Sequence, residues 1–316
     1  MPAHFADQLL QAVEEKSSAT CVGIDPVYGR LPADIAEQAG LADPDSAESA
    51  LDAVLEFCRR IIHLVSPYVP AVKINSAFFE RYYGEGVDGY YQLIQEAAAQ
   101  GLMVIGDCKR ADIGHSSGMY ARAHLGDAGF SDRVDLVAPD AVTVNPYFGW
   151  DGVKPFAEVA CDEGRGVFIL VQTSNPSAED IQGLTLEGGM RVGERIGVLV
   201  NEWAGDPAYL GDRGYSCLGA VISPRDAEST MKLRALMPHC IFLVPGFGAQ
   251  GRSADAVSQC FKADGTGALI TASRSVIYAY EDETYRERFA SDWERCVEQS
   301  CKDLVATVGT PRAIPV

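Results

Sequence analysis

No CxxC pair occurs among the nine cysteines (Cys21, Cys58, Cys108, Cys161, Cys217, Cys240, Cys260, Cys296, Cys301), and their number is odd. The five histidines (His4, His63, His115, His124, His239) stand nowhere near a metal-ligand spacing with them. The pattern argues against a disulfide framework or a zinc site and for reduced thiols in a cytoplasmic protein. Positive charge is also scarce: 26 Lys and Arg against 44 Asp and Glu give a net charge of −18 and a pI near 4.6. A surface that acidic repels phosphate backbones and anionic lipid, which weighs against nucleic-acid or membrane partners held by bulk charge. Any phosphorylated ligand must be captured by a few local donors working against the overall field. No apolar run approaches the roughly 18 residues of a membrane span. The opening MPAHFADQLLQAVEEKSS has neither the basic n-region nor the apolar h-region of a signal peptide. No Pro/Gly/Ser-rich linker divides the 316 residues, which read as one domain with the apolar and charged balance of a soluble globular protein.

What the chain does have is alternation. Short β-branched, apolar runs recur as TCVGIDP (20–26), AVKIN (71–75), MVIGDCK (103–109), AVTVNPY (141–147), VFILVQT (167–173), GAVIS (219–223), IFLVPG (241–246) and GALITAS (267–273). They are near-continuously hydrophobic, as strands buried on both faces of a parallel sheet must be. Between them lie stretches of helical period. Leu51, Val54, Leu55, Cys58, Ile62 and Val65 share one helix face, and 90–100 and 190–204 behave likewise. Pro224 after Ser223 predicts the start of another helix. Eight such units predict an α/β fold, a single (β/α)8 TIM barrel with parallel strands, an N-terminal helix and inserted helical segments. A doubly wound open sheet is the main competitor. The barrel core is expected over about 18–280, insertions at 27–70 and 174–218, a closing helix at 281–307 and a loose tail over 308–316.

Polar residues gather where the strands end: Asp25, Lys73 with Asn75, Asp107 with Lys109, Asn145, Thr173 with Ser174, and Arg274 after Ser273. In a barrel these ends form one mouth, the active-site face. The segment Gly106 to Gly114 carries the strongest signal. With period 2, Asp107 and Lys109 share a face with Met103 and Ile105, while Cys108 points to the other side. Two charges ending an apolar strand are costly unless paired. Lys73 on the neighbouring strand and Asp112 just beyond complete an array of alternating sign. A structural ion-pair cluster under a loop is the plainer reading. The chemical one is that a lysine between carboxylates stays protonated, which suits a general acid and disfavours a Schiff-base nucleophile.

Gly246 to Gly251 matches G-x-G-x-x-G after a strand, but at the seventh unit, and the next strand ends in Ser273-Arg274 rather than an acidic residue. In a barrel the loops after strands 7 and 8 form the usual phosphate site, where glycine N–H groups, Gln250 and Arg274 would be donors. The three glycines also suggest a lid at 246–253. On residues alone, an NADP-dependent oxidoreductase, a Schiff-base aldolase on a TIM barrel and a non-catalytic nucleotide-binding protein all remain open.

The combination resembles the orotidine 5′-phosphate decarboxylase family, in its longer branch. An Asp-x-Lys-x-x-Asp motif stands at Asp107, Lys109 and Asp112, and the K-x-N-x-A-F-F-E run at Lys73 to Glu80. VNPYFGWD lies at 144–151, PGFGAQG at 245–251 and SRS at 273–275. The resemblance implies decarboxylation of orotidine 5′-monophosphate to uridine 5′-monophosphate in de novo pyrimidine synthesis, without metal or organic cofactor, by a homodimer of barrels. It implies Lys109 as proton donor to C6 of the pyrimidine and Asp107 against the substrate carboxylate. Lys73 and Asp25 fall near the ribose, and Asp112 crosses into the partner's site. Ser174 falls at the base, and Pro245, Gln250, Ser273 and Arg274 at the phosphate. Ser116 stands where the family more often has Thr, which keeps the hydroxyl. Ser273 replaces the Gly that precedes Arg in shorter members.

Overall fold

The computed structural model describes residues 2–38, 46–126, 137–246, 254–290 and 292–309. Its eight strands are β1 (Thr20–Ile24), β2 (Ala71–Ile74), β3 (Met103–Arg110), β4 (Ala141–Val144), β5 (Gly166–Gln172), β6 (Leu218–Ile222), β7 (Phe242–Pro245) and β8 (Ala268–Ala272). Each pairs in parallel with the next, and β8 returns to β1, so the sheet closes into a barrel rather than opening as a doubly wound sheet. The apolar runs are continuous because both strand faces are covered, one by the barrel interior and one by helices. Several strands stop one to three residues short of their predicted C-terminal ends. Asn75 and Asn145 explain two of these, since their side chains accept hydrogen bonds from Ala77 N and Tyr147 N and so start the next turn.

The N-terminal helix Phe5–Lys16 plugs the end of the barrel where the strands begin. Phe5, Leu9, Leu10 and Val13 are buried, and the Phe5 ring meets Phe168 edge-on at 5.8 Å. Gly166 makes room for it, because a Cβ there would come within 2.3 Å of that ring. An apolar cavity of about 260 Å³ lies under this helix, lined by Leu9, Val13, Ala19, Ile241 and Leu269, and none of the predicted site residues reaches it. The helix Ala47–Val65 buries the whole predicted face and is capped by Ser46, whose Oγ accepts from Ser49 N. The helix Val192–Ala204 lies within the second predicted insertion.

Two sequence expectations are corrected. The helix after β6 does not open at Pro224; it runs Ala227–Leu236, because Asp226 supplies the cap by accepting from Ser229 N at 2.8 Å, while Ser223 is buried at the strand end. The closing helix over 281–307 is two helices, Glu283–Arg288 and Trp293–Val308, the second begun by Asp292, whose side chain accepts from Arg295 N. The proposed lid beyond Gly246, Gln250 within it, and the tail from 310 lie outside the described residues. Among the described residues no helix is long and apolar enough to cross a membrane.

Candidate active site

The strand ends at the barrel mouth hold a compact charge cluster. Lys73 sits opposite Gly23 on β1 and Ile105 on β3. Its Nζ donates to Asp107 Oδ2 at 2.6 Å and lies 3.9 Å from Asp25 Oδ1. Lys109 Nζ donates to Asp107 Oδ1 at 2.5 Å. Asp107 thus stands between two ammonium groups, and both Asp107 and Lys73 are buried, whereas the Lys109 side chain is 48% exposed to the mouth. Burial alone would raise the Asp107 carboxyl, but Lys73 and Lys109 outweigh it and hold the group well below the usual carboxylate range. Burial alone would likewise lower Lys73, and the carboxylates of Asp107 and Asp25 instead hold its ammonium above the usual lysine range. Both groups are therefore ionised throughout the neutral range.

The local backbone at Lys109 is unusual. From Gly106 to Arg110 β3 advances four residues while β4 advances two, Val142 to Val144. This bulge carries Lys109 at φ +45°, in the left-handed region, a conformation that costs a non-glycine residue roughly 1–3 kcal/mol. The bulge aims the side chain back toward Asp107 and the mouth, as bulges at strand ends commonly do. Cys108 points outward as the period predicts, its thiol directed at Thr143 O.

Two residues that the sequence did not single out organise the cluster. Thr143 on β4 is 1% exposed; its Oγ1 accepts from Lys109 N at 3.0 Å and donates to Asp107 Oδ1 at 2.8 Å. Tyr278 accepts from Val27 N at 2.6 Å and donates to Asp25 O at 3.1 Å, which anchors the turn after β1. A polar residue in the AVTV run was the available signal for Thr143; nothing near Tyr278 marks it in the sequence. Behind the cluster, Arg110 pairs with Glu80 and donates to His124 Nε2. Burial, aided by Arg110, lowers His124 to about 4, so its imidazole is neutral.

At the junction of β1 and β8, Ser273 and Asp25 converge on Gly23. A Cβ on Gly23 would meet Ser273 Cβ at 2.8 Å and Asp25 Oδ2 at 3.4 Å, so glycine permits that approach. Among the described residues, Asp25 Oδ1 and Ser273 Oγ are buried polar atoms without a protein hydrogen-bond partner, Asp25 Oδ1 keeping only its 3.9 Å ion pair with Lys73. Arg274 is exposed beside them, and Pro245 ends β7, where Gly246 N donates to Thr271 O. Ser174 is exposed on the loop after β5, next to Thr173, whose N–H and hydroxyl are both bound by the Gln182 amide. Ser116 is exposed in the first turn of the helix Gly114–Leu125. Asp112 accepts from Ile113 N and has no ion pair with Lys73 or Lys109 of its own chain. The structure therefore brings Asp25, Lys73, Asp107 and Lys109 together with Ser273 nearby, and leaves Asp112 outside that set. No group of three or more His, Cys, Asp or Glu among the described residues is placed to hold a metal ion.

The chain matches the family described as Orotidine 5′-phosphate decarboxylase / HUMPS over residues 31–289. It is 39% identical over 298 residues to a Rhodopirellula baltica protein named orotidine 5′-phosphate decarboxylase, covering 93% of this chain and 95% of that one. A Caldicellulosiruptor saccharolyticus protein of the same name is 32% identical over 306 residues, covering 96% of this chain and 98% of its own. The solved structure of Leishmania donovani OMP decarboxylase superposes with a TM-score of 0.68 at 28% identity, over 96% of this chain and 98% of that one.

Proposed function

The chain belongs to the Orotidine 5′-phosphate decarboxylase / HUMPS family, and on that premise we propose that it converts orotidine 5′-monophosphate to uridine 5′-monophosphate, with Lys109 as the proton donor. The observation that carries this reading is Asp107 clamped between Lys73 and Lys109 at 2.6 and 2.5 Å, with Lys109 open to the mouth. Loss of CO2 leaves an electron pair at C6. A fixed ammonium beside that carbon stabilises the developing charge and then supplies the proton that forms the C–H bond, and the resulting amine regains a proton from water. Asp107 faces the departing carboxylate in this reading, while Lys73 and Asp25 take the ribose hydroxyls. Asp25 Oδ1, ion-paired with Lys73 at 3.9 Å but without a hydrogen bond among the described residues, supports that placement. A Schiff-base aldolase is disfavoured at Lys73, because a lysine held above its usual range is a poor nucleophile.

Ser116, Ser174, Pro245, Gln250, Ser273 and Arg274 complete the substrate site in this proposal. Arg274→Ala should weaken binding of the phosphorylated substrate by about 1.5–3 kcal/mol, roughly tenfold to a hundredfold in KM, by removing a charge-assisted contact. Steady-state kinetics check this, and an unchanged KM would put the phosphate elsewhere.

We also place the chain in a homodimer that carries Asp112 into the partner's site. Ile113, Met119, Tyr120, Tyr147 and Phe148 are all exposed on the segments around Asp112, an apolar group of the kind an interface covers. A Cβ on Gly152 would touch Asp112 O at 2.9 Å and Phe148 Cβ at 3.2 Å, which shows how closely these segments meet. The nine cysteines all carry free thiols, in keeping with a cytoplasmic setting. Both apolar core clusters run through barrel strands, in keeping with one domain.

The test is to mix the purified protein with orotidine 5′-monophosphate and follow the orotidylate absorbance. Its loss, with uridine 5′-monophosphate and CO2 formed in equal amounts, is expected. Unchanged absorbance would overturn the proposal.

A further inference from the structure

We infer that Thr143 is a positioning residue for the proton transfer: its hydroxyl locks Asp107 and the Lys109 backbone into one arrangement, so that the ammonium is aimed before substrate arrives. The inference rests on the reading of Lys109 as the proton donor. The direction of each hydrogen bond follows from chemistry. Lys109 N can only donate, so Thr143 Oγ1 accepts from it at 3.0 Å. The hydroxyl hydrogen is then free for Asp107 Oδ1, 2.8 Å away, which as an ionised carboxylate can only accept.

The geometry leaves the carboxylate little freedom. Asp107 Oδ1 takes Lys109 Nζ and Thr143, and Oδ2 takes Lys73. Rotation of the carboxylate would break at least one bond in a site where Thr143 is 1% exposed and no bulk water can replace it. At the other end, the hydroxyl holds the N–H of a residue whose φ of +45° needs support from its surroundings. One side chain on β4 therefore ties the strained backbone of Lys109 to the carboxylate that orients its ammonium. Val would match the shape, but of the β-branched residues only Thr carries a hydroxyl that can accept on one side and donate on the other.

The experiment compares Thr143→Val, which keeps the shape, with Thr143→Ser, which keeps the hydroxyl, and with Lys109→Ala. For Thr143→Val the expected result is a kcat per folded molecule lower by roughly tenfold to a hundredfold, the range for losing a buried hydrogen bond to a charged group. KM should stay within about threefold, since phosphate capture is remote from this bond. Thr143→Ser should recover most of the rate. A merely structural role would lower the melting temperature and leave kcat per folded molecule unchanged. A kcat for Thr143→Val within twofold of wild type, or a Ser variant as slow as the Val variant, overturns the inference. Should the Val variant not fold, Thr143→Ala is read by the same criteria. If Lys109→Ala keeps the wild-type rate, the proton-donor reading itself has failed, and the two failures are thereby distinguished.

Discussion

Lys109→Ala is expected to lower kcat for orotidine 5′-monophosphate by at least about 10⁴-fold while leaving the fold and nucleotide binding intact. Positioned general acids contribute on the order of 10²–10⁴-fold, and a preorganised charge at the reacting atom about 10²–10³-fold. Lys109 is asked to supply both, so its removal should exceed either range alone. The fold should tolerate the change, because the Lys109 side chain is 48% exposed and Asp107 keeps its bond to Lys73 at 2.6 Å. Single-turnover decarboxylation gives the rate, and titration with uridine 5′-monophosphate gives binding. Loss of binding in parallel with rate would show instead that the residue builds the site rather than acts in it.

The second large effect concerns Asp112, which makes no ion pair with either lysine of its own chain. If it serves the partner's site, Asp112→Ala and Lys109→Ala homodimers should each be nearly inactive, one through a broken charge array and the other through loss of the acid. Subunit exchange between them gives heterodimers in which one site carries both lesions and the other carries neither. Two-fold symmetry then predicts up to about half of wild-type activity per heterodimer, and roughly a quarter for a fully exchanged equal mixture. Rate against mixing ratio, with exchange followed by mass-tagged subunits, makes the measurement. Confirmed heterodimers with no recovered activity would mean that Asp112 acts within its own barrel.

The barrel is legible in the sequence because parallel strands are covered on both faces, which leaves continuous apolar runs at Val22, Val72, Val104 and their counterparts. Strand ends are less legible: Asn75 and Asn145 still donate their backbone N–H to Ile24 O and Arg110 O, but their side chains cap the turns that end the strands there. The helix after β6 starts beyond Pro224 because proline is a generic signal, while the cap depends on where the Asp226 side chain falls. In the site, the alternation of Lys73, Asp107 and Lys109 is visible from spacing, since unpaired charges at buried strand ends need one another. The left-handed conformation of Lys109 is not visible, because it follows from the register of β3 against β4. Thr143 escapes for a similar reason. In AVTV it resembles any β-branched strand residue, and its role exists only through bonds to a neighbouring strand.

The Lys109 ammonium is expected to deliver a proton to C6 rather than a charge alone. Chemical rescue of Lys109→Ala separates the two most directly. Ethylammonium carries both a positive charge and a transferable proton, whereas tetramethylammonium carries only the charge. With Lys109 as the proton donor, ethylammonium restores part of the decarboxylation rate in proportion to its protonated fraction, and tetramethylammonium restores little. Equal rescue by the two cations would contradict it and leave Lys109 the role of a fixed charge.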